Sequence, residues 1–304
     1  MAGYTLAQQH PITASWTSAG QRLHLLAEEH QIDLDLATDH ALADPRRQQF
    51  GPALPADLFL NSWQTVRPGL DVMLSIRYEN GDPGRPFVDV SASTRAITTA
   101  ADIAATVAAA TGRFGELKPR YLRWWTSQPA GAIPDTGPDK RFLAAPILEL
   151  TIQPVPNQLA LRPAADLDHY DQVVAAYQSV DHQHPDHADQ ATIEPAGDLA
   201  DLVQAETLYE VILDDQWAGY IAAEPGHKLG LPGYKITELI LADHARGQGY
   251  GRYLTTLLAR ALADKTADPE MVLIGTIHHH NTGAIQAARQ AGRHDIGGWN
   301  TQAL

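Results

Sequence analysis

The stretch Glu238-Leu239-Ile240-Leu241-Ala242-Asp243-His244-Ala245-Arg246-Gly247-Gln248-Gly249-Tyr250-Gly251-Arg252 decides how this chain is read. An apolar run enters a short polar turn, the turn becomes glycine-rich, and the glycines open into an amphipathic pattern. Tyr250, Tyr253, Leu254, Leu257, Leu258, Ala261 and Leu262 recur at spacings of three and four, which predicts a helix over 249–264 with one buried face. Glycines let a backbone come close to an anion, and a helix N-terminus aims several N–H groups at one point. Arg246 adds a positive charge at the rim. The segment therefore predicts a phosphate cradle. A dinucleotide-binding fingerprint would need glycine at 252, where Arg252 stands. A P-loop would need Gly-Lys-Ser or Gly-Lys-Thr, which the chain lacks.

Working outward, residues 235–241 read as the strand before the cradle and 271–277 as a buried strand after its helix. Residues 282–290 read as a small-residue helix closed by Gly292, and 295–304 as one more strand. Upstream, 159–162 reads as a strand and 168–179 as a helix with Asp166 or Asp168 as its cap. Residues 199–205 form a short helix, and 207–213 with 217–223 a hairpin. The first half gives a helix at 21–31, strands at 71–78 and 86–91, an Ala-rich helix at 99–111, and strands at 120–125 and 142–152. Its counterpart of the cradle, residues 92–98, has no glycine. Tyr121, Arg123, Trp124 and Trp125 on one of these strands read as core or contact residues. The class expected is α/β, an α+β mixed sheet flanked by helices, with two domains, 1–155 and 156–304.

Composition narrows the function. The chain of 304 residues carries 22 Lys and Arg against 36 Asp and Glu, a net charge of −14. That argues against nucleic acid, which needs clustered cations to neutralise phosphates. The absence of cysteine removes disulfides, thiolate nucleophiles and Cys-based zinc sites, and suits a reducing cytoplasm. No signal peptide is readable over residues 1–16, and no apolar run is long enough for a membrane span.

The pattern Arg246-x-x-Gly249-x-Gly251, with Glu238 eight residues before it and an apolar strand leading to Asn281 after it, resembles the acetyl-CoA loop of the GCN5-related N-acetyltransferase (GNAT) superfamily. The order of elements over 156–304 resembles that fold, and the first half resembles a degenerate repeat of it without the cofactor loop. The resemblance implies an N-acetyltransferase using acetyl-CoA as cosubstrate, without metal. Its acceptor would be an amine of a small molecule or peptide, and the protein a cytoplasmic monomer or homodimer. The backbone N–H groups of Gln248, Gly249, Tyr250, Gly251 and Arg252, beside Gly247, would hold the pyrophosphate. Leu241 and Ala242 would pair with the pantetheine arm, Asn281 would touch it, and the N–H near Leu241 would stabilise the oxyanion. The rival reading is a non-catalytic acyl-CoA-binding sensor module.

Individual residues keep two readings. Glu238, in the alternation Ile236-Glu238-Ile240 against Thr237-Leu239-Leu241, is either a general base raised by desolvation or a solvent-side strand residue. His278 and His280 are expected on one strand face and His279 on the other. The family's proton-donating tyrosine would fall at Ala288, and the aromatic after its glycine at Arg293. His280 or His278 would substitute as acid, or the thiolate would leave unprotonated. The loop 181–187, with His182, His184 and His187, reads as substrate contact or solvated loop rather than a metal site.

Overall fold

The computed structural model describes residues 1–184, 190–266 and 268–304. It divides into two compact units: Met1–Ala14 with Ser18–Lys140 and Gly297–Leu304, and Ser15–Thr17 with Arg141–Ile296. The division thus falls at 140/141 instead of the expected 155/156, and the last eight residues lie in the first unit.

The first unit opens with helices α1 (Ala2–Ala7), α2 (Ala19–Glu29), α3 (Gln31–Thr38) and α4 (His40–Phe50). Ser18 caps α2 by accepting from the Gln21 N–H at 3.3 Å, and Asp39 caps α4 by accepting from the Ala41 N–H at 2.8 Å. The strands follow: β1 (Ser62–Arg67), β2 (Leu70–Tyr78) and β3 (Pro86–Ser93), then helix α5 (Ala100–Phe114) and β4 (Tyr121–Thr126). β1, β2 and β3 are antiparallel neighbours, while α5 carries the chain across to β4, parallel to β3. Leu70, Leu74, Val88, Phe114, Leu122 and Trp124 make up much of the core. The Trp124 indole donates to the Ile97 carbonyl at 3.1 Å, so this buried ring has its polar partner within the core.

Strand β5 (Gly137–Pro146) starts in the first unit and ends in the second. The second unit continues with α6 (Ile147–Leu150), β6 (Leu159–Pro163), α7 (Tyr170–Gln183), α8 (Ala196–Gln204), β7 (Leu208–Leu213), β8 (Gln216–Lys228) and β9 (Leu231–Leu241). Helix α9 (Gly251–Ala263), β10 (Val272–His278), α10 (Thr282–Gln290) and β11 (His294–Ala303) complete it. Its strands lie in the order β6-β7-β8-β9-β10-β5-β11, mixed in direction because α9 joins β9 to a parallel β10. The fold is a mixed α/β sheet. One strand, β11, follows α10, and β5 from the first half is inserted between β10 and β11. β11 in turn crosses into the first unit, where Gly298–Ala303 pairs antiparallel with β4.

One glycine fixes the joint between β9 and β10. Gly233 has φ +143, and a Cβ there would sit inside the Val272 carbonyl oxygen and 2.8 Å from its carbon. Gly233→Ala is expected to cost more than about 4 kcal/mol, because backbone that cannot yield blocks the new methyl. A chemical denaturation midpoint on the full chain checks this.

Candidate functional site

The site grows from the way β9 and β10 separate. Their parallel pairing runs from Val272 opposite Gly233 to Gly275 opposite Ile236 and goes no further. β9 stays paired to β8 as far as Leu241 opposite Gly219. Residues 237–241 therefore present an unpaired backbone edge toward β10. The register slips between Ala222 and Ala223, which oppose Glu238 and Ile236, so Thr237 is an extra residue, a β-bulge. The bulge changes the expected alternation. Glu238 and Ile240 face α7 and α8, but Ile236 joins Leu239 and Leu241 on the α9 side.

Glu238 is 1% exposed. Its Oε1 accepts from the Tyr177 hydroxyl at 2.6 Å and its Oε2 from the Glu194 N–H at 3.2 Å. Burial pushes its carboxyl up to about 7, while Tyr177 and the N–H groups of Glu194 and Leu239 pull the other way. Burial and the Glu238 charge push the Tyr177 phenol well above its ordinary value, so Tyr177 stays a donor. In the sequence, Tyr177 falls in the helix expected over 168–179 with nothing to single it out. What marks it is its place on the helix that packs over Glu238, which needs the tertiary fold to see.

The Ala242 N–H donates to the Ala218 carbonyl at 2.9 Å, and the Ala242 carbonyl accepts from Ala245 at 2.9 Å. Of the two residues expected to pair with an extended ligand, Ala242 is thus already bonded within the protein. By the alternation of an antiparallel pair, the Leu241 N–H points to the open edge.

The glycine-rich loop lies between β9 and α9. Gly247 and Gly249 have φ +73 and +80, and a Cβ on either would meet nothing within 4 Å. α9 starts at Gly251 with no side-chain cap and no acidic residue in its first turn. Its leading N–H groups are therefore open to an external acceptor. The Arg252 side chain lies over the Tyr253 ring, 4.6 Å from its centroid. Arg246 is not a rim charge. Its guanidinium donates to the Ala176 carbonyl at 3.0 Å, the Leu241 carbonyl at 3.3 Å and Ser179 Oγ at 3.0 Å, and pairs with Asp243. It ties α7 to the end of β9 and so sets the shape of the loop.

At the end of β10, the strand stops at His278 and the chain turns, with Asn281 N–H donating to the His278 carbonyl at 2.9 Å. The turn overrides the expected alternation and gathers His278, His279 and His280, whose ring centroids lie 3.7–5.2 Å apart. Among the described residues, these three have ligand nitrogens all within 4.8 Å of one another and could share a divalent ion. Asn281 Oδ1 caps α10 by accepting from the Ala284 N–H at 3.1 Å, which leaves its NH2 for any ligand. Ala288 is buried and supplies no proton donor. His182 and His184 lie at the end of α7, while residues 185–189 of the His-rich loop, with His187, lie outside the described residues.

Residues 170–292 match the model of the Acetyltransferase (GNAT) family. No curated protein matches the chain. Among solved structures, a GNAT-family acetyltransferase from Colwellia psychrerythraea is 11% identical over 61% of this chain and 65% of its own length, with TM-score 0.42. The chain thus spans just under two thirds of that protein. A tandem GNAT protein from the clavulanic acid biosynthesis pathway is 14% identical over 77% of this chain and 78% of its own, TM-score 0.40. An aminoglycoside acetyltransferase in complex with coenzyme A and kanamycin is 19% identical over 48% and 94%, TM-score 0.33. The family assignment rests on the sequence match, which starts at the first residue of α7 and ends at the glycine that closes α10. Residues 170–292, about two fifths of the chain, carry a domain that matches the GNAT acetyltransferase family.

Proposed function

We propose that the second unit transfers an acetyl group from acetyl-CoA to an amine of a small molecule or peptide, with Glu238 as general base. The observation that carries this reading is a buried carboxylate with its pKa near 7, on the strand whose open edge leads to an uncapped glycine-rich helix N-terminus. The pyrophosphate would lie against the N–H groups of residues 248–252, and the pantetheine arm along residues 237–241 as an added strand. Glu238, directly or through a water, takes a proton from the ammonium and so frees the lone pair that makes the amine nucleophilic. The amine attacks the thioester carbonyl, and the Leu241 N–H on the open edge donates to the oxygen on which charge develops. The carbon–sulfur bond then breaks and the nitrogen gives up its second proton to water, leaving the amide. His280 or His278 would protonate the sulfur, or the thiolate would leave as it is, since thiols titrate near about 8.5.

Turnover of acetyl-CoA over a panel of primary amines, followed by release of free thiol, tests the proposal. Amine-dependent release is the expected result. Binding without release from any amine favours the second reading, a non-catalytic acyl-CoA sensor, which the alanine at 288 supports. The first unit is proposed to be a degenerate repeat of the same fold. It repeats the parallel step, strand β3, helix α5, strand β4, without the glycine loop. The protein is proposed to work in the cytoplasm as a monomer or homodimer. No helix among the described residues is long and apolar enough to cross a membrane.

Tyr177→Phe tests how the base is held. The Tyr177 hydroxyl lowers the Glu238 pKa, so its loss should raise that pKa. The rate–pH profile should move upward by about one unit, the worth of one hydrogen bond to a charge. Activity at pH 7 should fall several-fold and return above pH 8.

A further inference from the structure

Arg293 is the buried group that the proposed reaction leaves without work. It follows Gly292, whose φ of +100 ends α10. Its N–H donates to the Ala288 carbonyl at 3.0 Å, and the Gly292 N–H to the Arg289 carbonyl at 3.0 Å. At this position after a helix-ending glycine, an apolar side chain ordinarily packs back on the helix. Here an arginine turns inward and is 5% exposed. Its Nε and Nη1 have no hydrogen-bond partner among the described residues. Burial pulls its pKa down to about 10. A buried guanidinium without a counter-ion is costly to the fold, so its retention points to a ligand.

Its place says which ligand. The guanidinium lies against Gly275: a Cβ built there would overlap Arg293 Nη1 and sit 3.4 Å from Cζ and 3.6 Å from Ile236 Cδ1. Glycine inside a strand weakens it and marks close approach of another group. Gly275 opposite Ile236 is the last rung before β9 and β10 part. The blind end of the open edge is therefore at Arg293, and the cradle lies at the other end. Five residue-to-residue steps of strand, from Leu241 back to Ile236, separate the two by about 16 Å. A thioester whose phosphates rest on the cradle runs along this edge and brings its acyl group to the blind end.

We propose that Arg293 is a carboxylate receptor at the acyl end of the cleft, fitted to an acyl-CoA that is the half-thioester of a dicarboxylic acid. The guanidinium fork matches a carboxylate in two parallel hydrogen bonds, which an acetyl methyl cannot offer. The transfer keeps the same balance: the amine nitrogen bonds to the thioester carbon, the carbon–sulfur bond breaks, Glu238 takes the amine proton, and CoA leaves with the sulfur electrons. The distal carboxylate is carried over unchanged. This rests on the reading of the cleft as an acyl-CoA site. The same chemistry could also come from a carboxylate on the acceptor.

Titration calorimetry on the full chain separates these. Succinyl-CoA and butyryl-CoA have acyl chains of the same length, and only the first ends in a carboxylate. Succinyl-CoA is expected to bind at least ten-fold tighter, and Arg293→Met to erase the difference while leaving butyryl-CoA affinity unchanged. Arg293→Lys should keep part of the preference. If the two esters bind alike, KM with acetyl-CoA is compared for amino acids and their amides. An Arg293-dependent preference for the free acid supports the receptor with the acceptor as its source. No preference in either pair overturns the inference. Failure of every CoA ester to bind overturns the acyl-CoA reading itself, and the receptor with it. Arg293→Met should also raise the melting midpoint of the unliganded protein; a wild-type protein that discriminates neither pair overturns the inference even if the variant does not fold.

Discussion

Glu238→Gln is expected to lower kcat by about 10²–10⁴-fold, the usual contribution of a general base, with little change in the affinity for acetyl-CoA. Gln keeps the shape and still accepts from Tyr177, but it cannot take a proton. The wild-type rate should rise with pH and level off above about 7, because only the ionised carboxylate is a base. That rise should be absent from the residual activity of the variant. The same substitution carries an opposite prediction for stability. The folded pKa of Glu238 lies above its ordinary value of 4.5, so the fold favours the protonated form. Stability is full below pH 4.5 and falls as pH rises through about 7, by roughly 3 kcal/mol from about 1.4 kcal/mol per unit. Above pH 7 the Gln variant is spared that loss, and its melting midpoint should exceed that of the wild type. At pH 4.5 the two should converge. A variant with unchanged kcat and unchanged pH profile would make Glu238 structural.

A function that lowers stability is consistent with what the sequence shows at this position: a carboxylate inside an apolar run breaks the local pattern. The pattern around it was legible because it is periodic or punctuated. Residues 282–290 form a helix at the expected bounds, since Asn281 caps it and Gly292 ends it. The glycine loop was legible for the same reason, as positive φ at Gly247 and Gly249 needs that residue type. Other features lay beyond local pattern. β8 and β9 run on to Lys228 and Leu231 around a turn at Leu229 and Gly230, both with positive φ, where the sequence predicts strands only over 217–223 and 235–241. Helices α3 and α4 were missed because they bury little, Leu36 in one and Ala43 in the other. The strand predicted at 142–152 begins earlier and turns helical at Ile147. The bulge at Thr237, the hydrogen bond from Tyr177 and the insertion of β5 beside β10 depend on partners far away in the chain. No local window contains them.

The second large effect concerns how many cofactors one chain holds. Calorimetry with acetyl-CoA is expected to give one site per chain, because only one of the two comparable helix N-termini is open. At α9 there is no capping side chain, and the loop before it exposes backbone through Gly247 and Gly249. At α5 the corresponding end is closed by its own residues. Thr99 Oγ1 accepts from the Asp102 N–H at 3.1 Å, and the buried Asp102 carboxylate sits in the first turn. Arg95 donates to that carboxylate twice, at 2.8 and 2.9 Å, and Arg67 lies 3.6 Å from it. The Arg95 hydrogen bond holds the Asp102 carboxyl down at about 2, so this end carries a fixed internal anion where a phosphate would have to sit. Gly249→Val should then remove the single site. A β-branched residue at φ +80 is strained by about 1–2 kcal/mol, and its side chain would project into the space open to the phosphates. Loss of one or two charge-assisted hydrogen bonds at about 1.5–3 kcal/mol each corresponds to a drop in affinity of about 10-fold at the least, and of more than about 100-fold for two. The melting midpoint of the unliganded variant should fall by only a few degrees. A stoichiometry of two in the wild type, or one remaining site of unchanged affinity in Gly249→Val, would place cofactor binding in the first unit and end the degenerate-repeat reading.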